Sequence, residues 1–203
     1  MTSLPPTQPD DPRRRWNARY SRRAAAAGDP APFLRSIESH LPTTGSALDV
    51  GGGLGANSVW LAERGMNVTL LDVSDEALAQ AREMVIPRGV GVEFLRRDVE
   101  TDGLPPESRS DLVLMHLFLA RGVVSDIGHH LAVGGVFALC QPTVVNLERH
   151  PKPSARFLLR EGEVEEIGAR MQREGWATVV EASDAWRESG RHDGWLVVKR
   201  RAS

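Results

Sequence analysis

The run Leu48-Asp49-Val50-Gly51-Gly52-Gly53-Leu54-Gly55 follows a short apolar stretch and is the first place in this chain where residue types and spacing could do chemistry. Glycines at that spacing let the backbone turn with positive φ and let a ligand approach main-chain N–H groups. The pattern Gly51-x-Gly53-x-x-Ala56 also satisfies the degenerate dinucleotide fingerprint, so the loop alone leaves a plain turn, a nicotinamide cofactor and S-adenosylmethionine all open. Three aspartates narrow the choice. Asp72 stands 21 residues beyond Gly51, where a carboxylate at the end of a second strand can accept both hydroxyls of a ribose. Asp49 would repel a pyrophosphate but suits the amino group of a methionine moiety. Asp98 follows the third strand, at an edge where an adenine amino group could donate to it. A short-chain dehydrogenase would also need a Tyr and a Lys four residues apart, and the single tyrosine, Tyr20, has no lysine near it.

Other candidates surround this group. His116 ends an apolar strand and reads either as a contact for cofactor or substrate proton or as a core histidine. His192, beside Arg191 between the last two strands, reads as a substrate contact or a solvated loop residue. His129 and His130 read as surface positions, and with no acidic cluster beside them no metal site is expected. Arg13-Arg14-Arg15-Trp16-Asn17-Ala18-Arg19-Tyr20 mixes cations and aromatics: either a cover over the cofactor or a solvated basic helix held by Trp16. The stretch 142–160 is long for a structureless segment and reads as a lid or binding loop. Its Arg149, His150, Lys152, Arg156 and Arg160 favour an electron-rich or anionic acceptor, while Phe157 and Leu158 read as core.

These residues require an alternating framework. Asp11-Pro12 predicts a capped helix through residues 13–27, and Asp29-Pro30 a second short one ending near Leu41. Strands are expected over 47–50, 67–72, 92–96, 111–116, 136–141, 176–182 and 195–200. Helices are expected over 56–64, from Ser74 to Pro87, over 119–131 and over 161–174. Such alternation predicts an α/β, Rossmann-like, doubly wound sheet of seven strands. Six should be parallel, and the C-terminal one antiparallel because too little chain precedes it for a crossover helix. Residues 1–11 read as a disordered lead-in and 12–203 as a single domain whose helices over 12–42 cover the cofactor.

Composition sets the outer limits. The chain has 203 residues, 25 basic and 27 acidic side chains, and only Lys152 and Lys199 among the bases are lysines. Residues 1–27 carry a net +4, so the remainder is acidic, which argues against a dedicated nucleic-acid binder. One cysteine, Cys140, cannot form an internal disulfide and fits a reducing cytoplasm. No apolar run reaches the ~20 residues of a membrane span. The expected partner is a small-molecule substrate, with no nucleic acid and no membrane, and the expected state a monomer or homodimer.

From Trp16 onward the chain resembles the class I S-adenosylmethionine-dependent methyltransferases: Leu48–Gly55 matches their first motif, Asp72 their ribose acid and Asp98 their adenine acid. A further likeness is to the small bacterial tellurite-resistance and thiopurine-type enzymes, through Phe157-Leu158-Leu159-Arg160-Glu161-Gly162-Glu163-Val164, Trp176, Glu181 and His192. It departs from them in Pro153-Ser154-Ala155 and in a short final hairpin. The resemblance implies S-adenosylmethionine as cofactor and S-adenosylhomocysteine as product. It implies cofactor contacts from Trp16, Arg19, Tyr20, Asp49, Gly51, Gly52, Gly53, Asn57, Asp72, Val73, Asp98, Val99 and His116, and His116 and His192 as catalytic candidates. Because the edge reads Met115-His116-Leu117-Phe118, it lacks the Pro-Pro motif of amino-methylating nucleic-acid enzymes and the acids of magnesium-dependent catechol enzymes. The acceptor expected is a small thiol, selenol, oxyanion or phenol. Two rivals remain: a non-catalytic S-adenosylmethionine-binding regulator and an NAD(P)-dependent oxidoreductase.

Overall fold

The computed structural model describes residues 11–22 and 28–202. Of the expected lead-in only Asp11 falls among them, and residues 23–27, at the end of the expected first helix, lie outside the described residues. Helix α1 (Pro12–Tyr20) begins as its sequence predicts, with the Asp11 carboxylate accepting from Arg13 N at 3.0 Å and Pro12 in the first position, where no N–H is needed.

Seven strands form one sheet: β1 (Ser46–Val50), β2 (Asn67–Asp72), β3 (Val92–Arg96), β4 (Ser110–His116), β5 (Leu131–Pro142), β6 (Ala177–Trp186) and β7 (His192–Arg200). Their order is β3-β2-β1-β4-β5-β7-β6. β7 runs antiparallel to both neighbours, so β6 points the same way as the other five. The central strands are buried on both faces, which is why they read as continuous apolar runs rather than alternating ones. One core packs α2 (Pro32–Ser36) and α3 (Ala56–Glu63) against Leu112, Leu114, Ala138, Cys140 and Val197. The other packs α6 (Arg121–Asp126) and α7 (Glu163–Arg173) against Val113, Met115, Phe137, Leu139 and Leu196. Two further helices, α4 (Asp75–Val85) and α5 (Val99–Asp102), follow β2 and β3.

Several boundaries depart from expectation for identifiable reasons. α2 starts at Pro32 with Ala31 as its N-cap, because the chain offers a second proline and Asp29 caps nothing. The helix expected over 119–131 is α6 followed by a single 3-10 turn, and His130 turns inward, with Ser108 Oγ 3.4 Å from its Nδ1, so it is buried rather than on the surface. β5 begins at Leu131, earlier than expected, across a register irregularity opposite Ser110. The hairpin is longer than it looked: β6 continues through Ser183, Asp184 and Ala185 to Trp186, leaving only residues 187–191 as the turn. Those polar residues are tolerated because β6 is the edge strand and its end is only half-buried. The stretch 142–160 is built rather than loose: it holds 3-10 turns at Val144–Glu148 and Ala155–Phe157, and a Thr143–Leu159 bridge closes its ends.

Candidate active site

Two carboxylates and the glycine loop form the floor at the carboxyl ends of β1 and β2. Gly51 N and Gly52 N donate to Leu71 O at 2.8 and 3.1 Å, folding the loop back over β2. Asp72, 8% exposed, is gripped from both sides: Gly53 N donates to Oδ2 at 3.0 Å and Ser74 N to Oδ1 at 2.8 Å. Burial raises its pKa above the ordinary carboxylate value, and those N–H groups oppose the rise. Gly51 and Gly53 adopt φ of 68° and 56°, a region that disfavours side chains. A Cβ on Gly51 would also lie 2.5 Å from Phe118, and one on Gly53 2.7 Å from the Tyr20 hydroxyl. Asp49 is 1% exposed and accepts from Ser58 Oγ at 2.6 Å; desolvation, reinforced by the nearby Asp72, pushes its pKa up to about 6. Asp98 caps α5, accepting from Glu100 N at 3.1 Å and Thr101 Oγ1 at 3.3 Å.

One cavity gathers Trp16, Tyr20, Gly51, Asp72, Val73, Asp98 and Val99 from the expected set and adds Pro12, Glu100, Leu117 and Phe118. Five expected residues adjoin it without lining it. Gly53 grips Asp72, Gly52 and Asp49 lie beneath, Arg19 stacks over Trp16 at 5.1 Å, and Asn57 Oδ1 accepts from Ala31 N at 2.9 Å. α1 has no buried residue, so polar contacts to α4 hold it down. Arg13 pairs with Asp75 at 2.6 Å, Ser74 Oγ donates to Asn17 Oδ1 at 2.7 Å, and Gln80 donates to Tyr20 O at 3.0 Å. Sequence reasoning missed Leu117 and Phe118. Their signal is backbone strain: Leu117 is the one non-glycine residue at positive φ (56°) among those described, immediately after the β4 edge.

His116 lies to the other side of this cavity, under Phe33, whose ring stacks on it at 6.4 Å and 9°. Burial, with the Arg191 charge adding, brings its pKa down to about 4, so the imidazole is neutral near pH 7. The sheet register sets its companions. His116 pairs with Cys140, Cys140 with Trp195, and Pro142 with Asp193, which places Asp193 on the His116 face. His192 falls on the opposite face, 8% exposed, with Nδ1 2.7 Å from Thr143 Oγ1, Nε2 3.8 Å from Asp184 and its ring edge-on to Trp186. The structure therefore does not bring His192 to His116.

Four arginines cover aromatic rings around this edge, on both faces of the sheet: Arg149 lies 3.7 Å over Trp186, Arg187 4.4 Å over Trp195, and Arg15 and Arg156 lie 5.7 and 4.4 Å over Phe157. The 142–160 stretch is clamped below by Arg121, which binds both oxygens of buried Glu163 at 2.7 and 2.8 Å and Leu158 O at 2.9 Å. Glu181, singled out in the sequence, accepts from Trp195 Nε1 at 2.6 Å. Among the described residues no group of three His, Cys, Asp or Glu side chains could hold a metal ion.

A seven-stranded sheet with a reversed last strand, a glycine loop after β1 and acids after β2 and β3 defines the class I methyltransferase architecture. Residues 47–135 match the family profile described as a methyltransferase domain, and this stretch is a class I, S-adenosylmethionine-dependent methyltransferase domain. Over 117 residues the chain is 31% identical to the tRNA 5-carboxymethoxyuridine methyltransferase of Escherichia coli strain K12, covering 54% of this chain and 45% of that protein. It is 28% identical over 120 residues to the ribosomal RNA small subunit methyltransferase C of Alcanivorax borkumensis, covering 54% and 36%. The chain thus spans about half the length, or less, of the curated relatives it matches. The crystal structure of TehB from Haemophilus influenzae superposes with a TM-score of 0.67 at 18% identity, covering 92% of this chain and 67% of that one, a likeness of fold. The expectation of no nucleic acid as partner is corrected by the tRNA and rRNA enzymes among these relatives. Net charge does not decide whether RNA is a partner, because an enzyme that modifies RNA needs only a local cationic rim rather than a basic body.

Proposed function

We propose that this protein methylates a small-molecule nucleophile that enters over the carboxyl ends of β4, β5 and β7. The observation that carries the reading is the roof over that edge. Arg15 of α1 reaches Phe157, and Gln141 at the end of β5 donates from Nε2 to Phe157 O, so α1 and the 155–157 turn meet and cover part of that edge.

The residues fit S-adenosylmethionine: Asp72 for ribose hydroxyls, Asp98 for an adenine amino group, and Val73, Val99 and Phe118 as apolar flanks for a purine. When bound, it supplies an electrophilic methyl carried by a sulfonium. The chain's contribution is position and exclusion of water, worth ~7–11 kcal/mol when reacting atoms are held in line. Neutral His116 accepts a hydrogen bond from the nucleophile, but its depressed pKa makes it a weak base. The reaction therefore suits acceptors that ionise readily, a thiol, selenol, oxyanion or acidic phenol, and the arginines near this edge favour the anion. His116 and the arginines thus take the catalytic and acceptor-binding roles, the described residues of 12–42 cover the cofactor within one domain, and the buried Cys140 thiol suits a cytoplasmic setting.

A screen of thiols, selenols, phenols, oxyanions and total tRNA, read by S-adenosylhomocysteine release, tests this. Turnover of a small acceptor that falls at least ten-fold in His116→Ala with unchanged S-adenosylhomocysteine affinity is expected. Turnover of tRNA alone would establish the second reading, which the two RNA-modifying relatives favour. Binding with no turnover of any kind would leave a regulator.

A further inference from the structure

The cofactor and acceptor sites leave a cavity unused beside them. It measures about 390 Å³, lies between α5 and α6, and is floored by Val99, Leu104, Leu119, Ala120 and Val123, none more than 8% exposed. It shares Val99 and Glu100 with the cavity that gathers Asp72, Val73 and Asp98, so the first turn of α5 is the partition between the two.

The rim of this second cavity does not call for an ion. Glu100 and Asp126 set two acids against Arg121 and Arg156, so the charges cancel. Its polar groups are also engaged elsewhere: Arg121 holds Glu163, Arg156 lies 4.4 Å over Phe157, and His130 stands between Ser108 Oγ at 3.4 Å and Asp126 Oδ2 at 3.5 Å. What the cavity offers a ligand is therefore apolar contact, and it is larger than the about 150 Å³ in which an engineered apolar cavity holds a benzene ring.

Asp98 stands at the partition. Its carboxylate, assigned above to the adenine amino group, accepts from Glu100 N and Thr101 Oγ1, and each oxygen keeps a lone pair for a further donor. A single N–H on the ligand meets that need, so an adenine amino nitrogen that carries one substituent still satisfies Asp98.

We propose that the cavity between α5 and α6 is a subsite for an apolar group borne on the adenine amino nitrogen, so that the protein binds N6-substituted adenosyl ligands as well as the plain one. This rests on the assignment of Asp98 in the cofactor reading above and extends that site beyond the adenine ring.

Calorimetry with S-adenosylhomocysteine, its N6-benzyl form and its N6-benzyl-N6-methyl form tests it. The N6-benzyl form should bind about three-fold or more tightly than the plain ligand, because the ring leaves water for an apolar wall. The doubly substituted form has no N–H for Asp98 and should bind about ten-fold or more weakly than the singly substituted one. Gly122 lines the same cavity, and an added Cβ there meets nothing within 4 Å. Gly122→Phe should therefore abolish the benzyl gain and keep S-adenosylhomocysteine affinity within about two-fold. The wild-type comparisons stand on their own if that variant binds neither ligand. Equal affinity for the plain and N6-benzyl forms would mean that the ring stays in solvent, and weaker binding of the N6-benzyl form that the edge is closed; either overturns the proposal. Equal binding of the singly and doubly substituted forms would detach Asp98 from the amino group and overturn it too. Failure to bind S-adenosylhomocysteine at all would instead refute the cofactor reading beneath it.

Discussion

Asp49 has a function and a cost that can be measured separately. Its carboxylate is fully enclosed below the glycine loop, with Ser58 Oγ as its one side-chain donor and Asp72 as an unfavourable neighbour, and its pKa rises from 3.8 to about 6. A rise of about two units corresponds to about 3 kcal/mol between protonation states. The sign follows from proton binding. Between pH 3.8 and about 6 the folded chain holds the proton that the unfolded chain releases, so stability falls as pH rises through that window. About 2 kcal/mol of the fall lies between about pH 4.5 and 7.5. Asp49→Asn removes the ionisation, keeps an oxygen for Ser58 and relieves the repulsion with Asp72. The difference in unfolding free energy, mutant minus wild type, should therefore grow by about 2 kcal/mol from about pH 4.5 to 7.5, read from urea titrations at each pH. The same substitution removes the anion proposed to face the methionine amino group, so S-adenosylhomocysteine should bind about ten-fold or more weakly at pH 7.5. Parallel stability curves for the two proteins across this range would refute the account of Asp49 as a desolvated carboxylate.

Asp72→Ala leaves Gly53 N–H and Ser74 N–H without their acceptor and removes the ribose acid. S-adenosylhomocysteine affinity should fall by about 2 kcal/mol or more by calorimetry, and unchanged affinity would remove Asp72 from the site. Glu163→Gln opens the Arg121 clamp. Burial alone would raise the Glu163 pKa, but the hydrogen bonds and charges of Arg121 and Arg160 bring it below 4.5, so the clamp's stability is present above that pH and lost as pH falls through the lowered value. The variant should lose about 2–4 kcal/mol at pH 7, with wild type and variant converging in acid; a constant gap would show that charge is not the cause. Cys140 is 1% exposed and its pKa is pushed up to about 12, chiefly by burial, so a disulfide reagent at pH 8 should modify it only as the protein unfolds. Modification within minutes in the native state would contradict its packing.

The sheet and the cofactor floor were legible because their signals are local and obey strong rules. Glycines after an apolar strand, an acid at the end of the next and the 3.6-to-2 alternation of elements each follow from backbone geometry within a few residues. Asp11-Pro12 predicted a helix start that the structure realises atom for atom. The hairpin length, the inward turn of His130 and the built 142–160 stretch were not legible, since each depends on contacts made far along the chain. β6 extends into polar sequence because β7 lies beside it, and residues 158–160 are ordered by Arg121 from another helix. Leu117 and Phe118 escaped because nothing local announces a left-handed leucine; the strain is imposed by Leu117 N reaching Cys140 O at 2.9 Å.

The acceptor side shows a different limit, one of parity. His116 and His192 are both histidines at the carboxyl edge of the sheet in sequence terms, and both stand there as catalytic candidates. Side chains alternate across a strand, so which face each one takes is settled by register, and a one-residue shift of β7 against β5 would carry His192 to the His116 face. The Cys140–Trp195 pairing puts Asp193 with His116 and sends His192 to Thr143 and Asp184 on the far face. That single register is what turns the final hairpin from a carrier of His192 into a carrier of Arg191 and Asp193. It also explains why an imidazole with both nitrogens facing protein partners sits where the sequence invited a base. Chemistry at this edge is assigned by the pairing of β5 with β7, and a variant that shifted that pairing by one residue would exchange the polar groups presented to the acceptor while leaving the cofactor floor intact.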